Sequence, residues 1–392
     1  MNSDLPHPRV ERTIVTLQNL GHNVVLFSVN YGESISNNNI NCQVIRINAP
    51  LVLHTISALS FSIDLYSRFF INDIKKAIKN VKPDLLFVNN LLISRAVLSA
   101  NKKFNLPTIL DVHENYASIT KYYPHFNNFI YNLLISNKNI KIAQKNLYSR
   151  YDNIIFVTQE AANYSINHEG ISRDKTIVLT NTVHPNLFLK YPVKNNLKTR
   201  FKNKFISLYL GDLGLRRGMD FIIDSFNDLI KEFDDIVLLL VGSSKQDILL
   251  KEKIKKLKLE KSIIFEGWKN ESLFPSYIKS SDLCLCPINR NEHHNTTHAN
   301  KLFQYMSGGK PILASNCDSQ ELLINKTNSG LVYTYNDKKD FKNKFLKLYS
   351  SHHLRNDYGN NGLNAVNNKY SWKNQSKEFV HLIKLISNKT IT

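Results

Sequence analysis

Residues 292–315 read EHHNTTHANKLFQYMSGGKPILAS. In this stretch a polar loop leads into a predicted helix over residues 297–307, two glycines end that helix, and a lysine-proline pair opens an apolar strand. Apolar side chains at helical spacing form one stripe, whereas Lys301 and Gln304 lie on another face. Helix N-termini attract phosphate because their amides and the helix dipole favour negative charge. The stretch therefore predicts an anion site on a helix that is anchored in a core.

Outward from this stretch, short β-branched runs alternate with segments of helical period along the chain. Strands are predicted at residues 22–29, 43–47, 84–89, 107–112, 153–158, 176–180, 205–211, 236–242, 262–267, 282–288, 311–315 and 330–335. Helices are predicted at residues 8–20, 62–80, 91–104, 126–149, 159–168, 218–232, 245–257, 272–280, 297–307, 338–350 and 372–387. The alternation predicts an α/β protein with parallel sheets and crossover helices.

A chain of 392 residues is longer than one hydrophobic core usually supports, so two domains are expected. The break is predicted in the polar, basic stretch 191–204, which has no apolar period. We predict three segments: 1–195, 196–371 and 372–392. Two doubly wound domains would bind ligands at the carboxyl ends of their strands, in a cleft between them. Because helix 8–20 precedes the first predicted strand, either the first domain lacks its first strand or the native start lies upstream of Met1.

Composition describes an ordinary globular protein, with 42% hydrophobic and 21% charged residues. No apolar run approaches the roughly 20 residues that span a bilayer, and the N-terminus lacks the apolar segment of a signal peptide. Four cysteines fit a reducing compartment, and Cys284 and Cys286 are interpreted as buried thiols on a strand. These features predict a cytoplasmic protein.

The net charge of +19 suits a polyanionic partner, which leaves nucleic acid, an anionic membrane surface and phosphorylated substrates as candidates. The sequence contains neither a paired-cysteine finger nor an aromatic RNP signature. His294 and His298 are one helical turn apart, but without a third ligand or an H-E-x-x-H pattern they predict no metal site. Charge alone does not choose among the three partners.

A glycine-rich loop follows the predicted strand 205–211, where the sequence continues GDLGLRRGMD over residues 211–220. Its three glycines allow the backbone to turn tightly and to approach a ligand. Arg216 and Arg217 stand just before the next helix and supply bidentate donors that suit a phosphate. The spacing differs from the G-x-G-x-x-G of nicotinamide enzymes, so this loop predicts phosphate binding of another kind.

Taken in order, four motifs resemble the family-four-type retaining glycosyltransferases of the GT-B fold. They are PRVERTIVTLQNLGHNV (8–24), DVHE (111–114), LGDLGLRRGMD (210–220) and NKLFQYMSGGKP (300–311). The resemblance implies two Rossmann-like domains that face a cleft, with a terminal helix after Trp372 that crosses back to the first domain. It also implies a nucleoside-diphosphate sugar as co-substrate, retention of configuration, and no metal or other cofactor.

The resemblance also implies roles for individual residues. Catalytic roles fall on His113, Arg217 and Lys301. Donor contacts fall on Gly211, Gly214, Arg216, Gly242, Gly267, Trp268, Thr296, Thr297, Asn300 and Gln304. The acceptor side would include Arg9, Asp111 and Glu114.

The chain departs from the family pattern at three of its motif positions. The family's glycine-loop arginine falls on Asp212, and its two glutamates fall on Thr296 and Gln304. In the family the first glutamate meets the donor sugar and the second binds the ribose hydroxyls. Gln304 can still bond a ribose, whereas Thr296 brings no charge. Activity with substitute groups and reduced activity are both open.

The expected function is sugar transfer to a glycan or lipid-linked glycan, in the assembly of bacterial surface polysaccharide such as lipopolysaccharide or capsule. The segment 126–151 combines apolar and basic residues, so it either packs on the first-domain sheet or contacts an anionic membrane. One alternative is a nucleotide-sugar 2-epimerase with Asp111 and Glu114 as its acid/base couple. The other is a nucleic-acid-binding protein that uses the basic surface.

Overall fold

The computed structural model describes residues 8–32, 41–55, 57, 61, 65–113, 115–119, 136–183, 191–193 and 196–391. The chain divides into two compact units. Unit 1 is Met1–Leu179 with Ser376–Thr392, and unit 2 is Thr180–Gln375. The first break thus precedes the predicted boundary at 195/196. Glu114 and the first ten residues of the predicted helix 126–149 lie outside the described residues.

The described residues of unit 1 form two parallel sheets. Its strands are β1 (Val25–Asn30), β2 (Gln43–Asn48), β3 (Leu86–Asn89), β4 (Thr108–Val112), β5 (Asn153–Phe156) and β6 (Thr176–Val178). β1 pairs with β2, and the others form a sheet in the order β3-β4-β5-β6. The described part of unit 1 begins with a helix, as the sequence predicts, and among the described residues no strand joins β1 to β3.

Among the described residues, the α-helices of unit 1 are Pro8–Asn19, Leu51–Thr55, Leu65–Val81, Ser94–Asn101, Tyr116–Ile119, Asn137–Tyr148, Gln159–Glu169 and Lys377–Ile391. Each of the longer helices buries one of its faces. In Asn137–Tyr148, for example, Ile140, Leu147 and Tyr148 are buried while the lysines are exposed, as the helical spacing of its apolar residues requires. The helix starts at Ser136, whose hydroxyl accepts a hydrogen bond from the Asn139 amide.

Unit 2 contains one six-stranded parallel sheet. Its strands are β7 (Phe205–Leu210), β8 (Ile236–Val241), β9 (Ile263–Gly267), β10 (Leu283–Cys286), β11 (Ile312–Ser315) and β12 (Gly330–Tyr333), in the order β12-β11-β10-β7-β8-β9. Every residue of β7 and β8 is buried, because helices cover both faces of the sheet. Alternate side chains of these strands therefore belong to two separate cores, with Leu208 in one and Tyr209 in the other.

The strand order of unit 2 reverses between β7 and β10. From β7 the chain continues outward to β8 and β9, and it then returns to the other side of β7 for β10, β11 and β12. Loops that leave the carboxyl ends of two such strands diverge and open a crevice, which is where doubly wound sheets bind ligands. The loop after β7 carries the glycine-rich sequence, and the segment after β10 leads into the stretch at 292–315, which ends with β11.

The helices of unit 2 are Asn196–Arg200, Met219–Ile230, Asp247–Lys256, Phe274–Ser280, Glu292–Thr296, Asn300–Ser307, Asp318–Thr327, Lys338–Ser350, His352–Asn368 and Trp372–Gln375. The predicted helix 297–307 begins only at Asn300, because Thr297 and Ala299 have extended backbone and separate it from a short preceding helix. The predicted terminal helix 372–387 is divided between Trp372–Gln375 in unit 2 and Lys377–Ile391 in unit 1.

The helix His352–Asn368 was not predicted, because its asparagines and glycines are weak helix formers. Two of its glycines explain why it forms. A Cβ atom on Gly359 would lie 2.3 Å from the carbonyl oxygen of Gly309, and one on Gly362 would lie 3.1 Å from Cγ of Met306. Close packing on the Asn300–Ser307 helix and on Gly309 after it therefore offsets the low helix propensity.

Candidate functional site

The glycine loop after β7 and the segment after β10 are joined by direct contacts. The Asn289 amide donates to the carbonyl of Arg216 at 2.9 Å, and the Asn289 side chain donates to the carbonyl of Leu215 at 3.0 Å. Gly218 has a φ of +72°, and a Cβ atom there would stand 1.8 Å from the carbonyl oxygen of Pro287. Only glycine allows this approach, so the two loops form one wall at the strand-order reversal.

Asp212 organises the glycine loop from inside. One of its carboxylate oxygens accepts the Gly214 amide at 3.1 Å, and the other accepts Nε of Arg217 at 3.1 Å. Tyr209, at the end of β7, donates its hydroxyl to the Asp212 carbonyl at 2.7 Å. Asp212, which stands where the family has an arginine, thus holds Arg217 in place.

Gly211 and Gly242 allow β7 and β8 to end side by side. Gly211 has a φ of +118°, Gly242 has a φ of +150°, and a Cβ atom on Gly242 would lie 1.8 Å from the Gly211 carbonyl oxygen. Gly242 therefore sets the backbone path of the loop by close packing.

Lys301 reaches the glycine loop from the first turn of the Asn300–Ser307 helix. Its side chain is only 8% exposed, and Nζ lies 3.7 Å from the centroid of the Tyr209 ring. A Cβ atom on Gly211 would lie 3.4 Å from the same nitrogen. Within the described residues Nζ has no hydrogen-bond partner, and burial lowers the pKa of Lys301 to about 7, with Arg217 adding to the effect. A buried ammonium without an acceptor is the state that an anionic ligand would correct.

The helix that carries Lys301 is fixed to both strands at the reversal. Tyr305 accepts the Leu210 amide at 3.0 Å and donates its hydroxyl to the Leu285 carbonyl at 3.2 Å. The N-cap residue Ala299 provides no side-chain acceptor for the first amides of the helix. These amides and Lys301 therefore occupy the same end of one rigid element.

The other predicted donor contacts between β10 and β11 are two threonines, an asparagine and a glutamine, and their side chains have different partners and burial. Thr296 donates its hydroxyl within its own helix, at 3.0 Å from the Glu292 carbonyl, and Thr297 donates to the His293 carbonyl at 2.8 Å. Asn300 is exposed and accepts the amide of Asn181 at 3.0 Å, whereas Gln304 is half-buried. The threonine hydroxyls are thus engaged by backbone oxygens.

The end of β9 presents a third group of residues. Gly267 has a φ of +71°, and Trp268 follows it with 70% of its surface exposed. The preceding Glu266 is held by Arg200 at 2.5 Å and by the hydroxyl of Tyr277 at 2.8 Å. The sequence prediction missed this ion pair, although Glu266 lies inside the motif SIIFEGW.

In unit 1 the structure joins three of the predicted residues. Arg9 and Asp111 are completely buried and form a bidentate ion pair, with both nitrogen–oxygen distances at 2.8 Å, and Arg9 also donates to the Leu179 carbonyl at 2.7 Å. His113 places Nε2 3.0 Å from the second oxygen of Asp111. Burial raises the pKa of Asp111, but the charge of Arg9 and the contact with His113 hold it below its usual range.

The predicted acceptor-side position of Arg9 and Asp111 therefore needs correction. Fully buried side chains that bond each other cannot contact an acceptor, and their arrangement suits the positioning of His113 at the end of β4. Glu114, the third predicted acceptor-side residue, lies outside the described residues.

Several site residues were not predicted in these roles, among them Tyr209, Asn289 and His294. His293 and His294 are buried beside the arginine loop, and burial, with the arginine charges, holds the pKa of both below the usual histidine range. Among the described residues, no group of three histidine, cysteine, aspartate or glutamate side chains could hold a metal ion. Nor does any described helix have the length and apolar character that crossing a bilayer requires.

Two family models match the chain in succession. The model described as Glycosyltransferase Family 4 matches residues 9–187, and the model described as Glycosyl transferases group 1 matches residues 194–365. An uncharacterized glycosyltransferase of Methanocaldococcus jannaschii is 23% identical over 252 residues, which are 63% of this chain and 62% of the relative. Mannosylfructose-phosphate synthase of Agrobacterium fabrum is 23% identical over 250 residues, which are 60% of this chain and 54% of the relative. The matches thus span less than two thirds of either relative.

The similar solved structures cover a larger share of the chain than these sequence relatives do. Sucrose-phosphate synthase of Thermosynechococcus elongatus has a TM-score of 0.77 at 14% identity, over 97% of this chain and 93% of that chain. HepE of Anabaena in complex with UDP has a TM-score of 0.73 at 14% identity, over 98% of both chains. A structure from E. coli described as trehalose-6-phosphate bound with UDP-2-fluoro glucose has a TM-score of 0.72 at 11% identity, over 96% of both chains. At these identities the likeness concerns the fold.

Proposed function

The chain belongs to the group 1, family 4 glycosyltransferases of the GT-B fold, and we propose that it transfers a sugar from a nucleotide-sugar donor to a glycan or lipid-linked glycan acceptor with retention of configuration. The observation that carries the proposal is the position of Lys301 against the glycine loop that holds Arg217, since its Nζ is buried and has no hydrogen-bond partner within the described residues. Two of the similar structures contain UDP or a UDP-sugar, which supports a donor of this class.

A bound diphosphate would accept hydrogen bonds from both Arg217 and Lys301. Arg217 is held by Asp212 with its guanidinium only partly exposed, so part of its donor set remains for a ligand. Lys301 would gain the acceptor that the protein does not supply, and the uncapped amides of the Asn300–Ser307 helix would face the same charge. Gly211 and Gly214 would leave room for the phosphate groups at the backbone.

The same groups suit the chemistry of transfer. The bond between the anomeric carbon and the diphosphate oxygen breaks while the acceptor hydroxyl forms a new bond on the same face, and the hydroxyl proton passes to the leaving phosphate. Negative charge grows on the diphosphate, and preorganised cations stabilise it best where water is excluded. Arg217 and Lys301 are the proposed electrostatic catalysts, which would make a metal ion unnecessary. His113 is the proposed catalytic residue of unit 1.

We also propose a role in surface-polysaccharide assembly beside an anionic membrane. The helix Asn137–Tyr148 exposes Lys138, Lys141 and Lys145 together with Ile142, whose side chain is half exposed. Such a face binds anionic headgroups through several weak, salt-sensitive contacts. We expect the protein to sediment with phosphatidylglycerol vesicles but not with phosphatidylcholine vesicles. Equal sedimentation with both kinds of vesicle, or sedimentation with neither, would contradict the proposal.

No specific observation favours the 2-epimerase alternative. That activity was predicted to use Asp111 and Glu114 as an acid/base couple. Asp111 is buried against Arg9, which keeps it ionised and engaged. Incubation of the protein with a nucleotide-sugar and no acceptor should therefore leave the sugar configuration unchanged.

The substitution Arg217→Ala tests the proposed donor site. Titration calorimetry with UDP and GDP should show about 10- to 100-fold weaker nucleotide binding, because a charge-assisted contact of about 1.5–3 kcal/mol is lost. Lys231→Ala is the matched control, since Lys231 is an exposed cation paired with Asp228 at the far end of the helix that follows the loop. Equal nucleotide affinity of Arg217→Ala and the wild type would refute the assignment of Arg217.

A further inference from the structure

Two short helices, Glu292–Thr296 and Asn300–Ser307, follow β10 without merging into one. The residues between them interrupt the helical backbone, with φ −132° and ψ 149° at Thr297 and φ −70° and ψ 126° at Ala299. Neither proline nor glycine stands in this interval, so the sequence contains no strong helix breaker there. The interruption points to contacts from elsewhere in unit 2 that hold the two helices apart.

Ser319 supplies one such contact. It is the second residue of the helix Asp318–Thr327 and is completely buried, and its hydroxyl donates to the Thr297 carbonyl at 2.7 Å. In a helix continued back through Thr297, this carbonyl would accept the Lys301 amide, because α-helical bonds join each amide to the carbonyl four residues earlier. The Ser319 hydroxyl thus stands in for the Lys301 amide at the Thr297 carbonyl.

His298 connects the interval to the same serine. Its ring bonds the backbone of Ser319 and meets the Phe303 ring edge-on, with 5.7 Å between the ring centroids. Burial lowers the pKa of His298 to about 4, so the ring is neutral at pH 7. Thr297 and His298 are therefore both anchored to Ser319, one through its hydroxyl and the other through its main chain.

The interruption leaves the first amides of the Asn300–Ser307 helix open. In the described part of the chain, the amides of Asn300 and Lys301 have no backbone acceptor, and Ala299 offers no capping side chain. Nζ of Lys301, which starts from the same turn, likewise has no hydrogen-bond partner there. These are the groups to which the proposed function assigns the diphosphate.

We propose that Ser319 is a positioning residue of the donor site, whose hydroxyl holds the Thr297 carbonyl so that the Lys301 amide stays available to the diphosphate. The inference rests on the proposed function and adds to it a buried residue that acts through Thr297. Without that hydroxyl, the Thr297 carbonyl would accept the Lys301 amide and the helix would lengthen at its N-terminus. A donor that is fixed in advance needs no rearrangement when the ligand binds.

The test compares alanine substitutions of two buried serines. Ser319→Ala removes a hydroxyl that donates to a carbonyl at 2.7 Å. Ser307→Ala, the matched control, removes one that donates at the same distance to the Phe303 carbonyl of its own helix. Both serines are completely buried, so similar decreases in melting temperature are expected.

Titration calorimetry with the diphosphate that the wild type binds most tightly among UDP, GDP, ADP and dTDP gives the decisive comparison. Ser319→Ala should bind it about three- to tenfold more weakly, because one preorganised hydrogen bond is lost. Ser307→Ala should change the affinity by less than about twofold. Ser319→Thr keeps the hydroxyl and should retain most of the wild-type affinity, which a role in packing alone does not predict.

Ala299→Ser provides a readout that does not depend on the folding of the Ser319 variants. A serine at this N-cap position accepts the Lys301 or Leu302 amide, so it should raise the melting temperature and yet weaken diphosphate binding. If the interruption had only a structural role, the more stable variant would bind the diphosphate as well as the wild type does.

Equal diphosphate affinities of Ser319→Ala and Ser307→Ala would overturn the inference and leave the proposed function standing. If Ser319→Ala does not fold, Ala299→Ser decides the question, and undiminished diphosphate binding in that variant would overturn the inference. Absence of nucleotide binding in the wild type would overturn the inference and the proposed function together.

Discussion

Raising the pH from 6 to 9 should weaken nucleotide-sugar binding because Lys301 loses its proton. Burial, reinforced by Arg217, lowers the pKa of Lys301 to about 7, so at pH 8 about nine tenths of the unliganded protein would hold it neutral. Cys286 and Asp212 oppose this effect, and the Tyr209 ring covers the ammonium. A bound diphosphate favours the ammonium, so binding takes up a proton at this nitrogen.

The magnitude follows from the two ionisation states. If the bound diphosphate returns Lys301 toward its ordinary value of 10.5, binding takes up about 0.9 proton at pH 8 and about 0.1 proton at pH 6. Above pH 7 the apparent affinity should fall by about tenfold per pH unit, until the bound form also titrates. Below pH 7 it should be nearly constant.

Titration calorimetry at pH 8 in two buffers with different ionisation enthalpies measures the uptake directly. A nucleotide-sugar serves as the ligand, because its diphosphate is esterified at both ends and does not titrate in this range. Lys301→Arg is the control, since a guanidinium stays charged and should take up no proton. Absence of uptake in the wild type, or equal uptake in both proteins, would refute the reasoning.

The same titration affects stability. The folded protein binds this proton less readily than the unfolded chain, so Lys301 opposes folding fully below pH 7, and the cost disappears as the pH rises from 7 to 10.5. The difference between those values corresponds to at most about 5 kcal/mol. Lys301→Met should therefore raise the melting temperature of the unliganded protein at pH 6 and abolish nucleotide-sugar binding. A lower melting temperature would contradict this account.

Two further predictions concern the glycine loop and the buried pair of unit 1. Gly218→Ala should lower the free energy of unfolding by about 1–3 kcal/mol more than Gly267→Ala, because both have positive φ but only Gly218 faces a backbone oxygen; equal denaturation midpoints would refute the close-approach argument. Asp111→Asn should cost about 3–5 kcal/mol in urea denaturation at pH 7, since Arg9 would stay buried without its counter-charge. In the wild type the contribution of the Arg9–Asp111 pair to the free energy of unfolding should hold above pH 4 and weaken as acid protonates Asp111. A decrease of less than about 1 kcal/mol in the free energy of unfolding of the variant would contradict this prediction.

The sheets of the fold could be predicted well from the sequence. Strands such as β7 and β8 are unbroken apolar runs, which only a sheet with both faces covered explains, and their bounds were predicted to within one or two residues. The predicted α/β architecture and the glycosyltransferase family are confirmed. The helix His352–Asn368 was not predicted because its glycines pack against Met306 and Gly309, and such contacts between separate segments leave no local pattern in the sequence.

The candidate site was predictable where a residue's role depends on its neighbours in the sequence. Arg217 and Lys301 were predicted from their motifs and the structure brings both to the same loop, whereas their contact with a phosphate stays a prediction. The contacts of Tyr209 and Asn289 were not predicted, because they depend on residues that these side chains meet only in the folded chain. Arg9 and Asp111 were assigned to the acceptor side because the family resemblance implied it, and their mutual pairing becomes visible only when residues 102 apart in sequence meet.

The contact between the aromatic ring of Tyr209 and Lys301 has one more consequence for the proposed binding of a donor. By lying against the Lys301 ammonium it replaces hydration water during folding, long before any substrate arrives. In the proposed mechanism, an incoming diphosphate would then shed only its own solvent shell and meet an amino group that is already dry and already oriented, with the ammonium form favoured below about pH 7. On this proposal the dehydration of the Lys301 side chain occurs once, during chain folding, and is not repeated at each turnover.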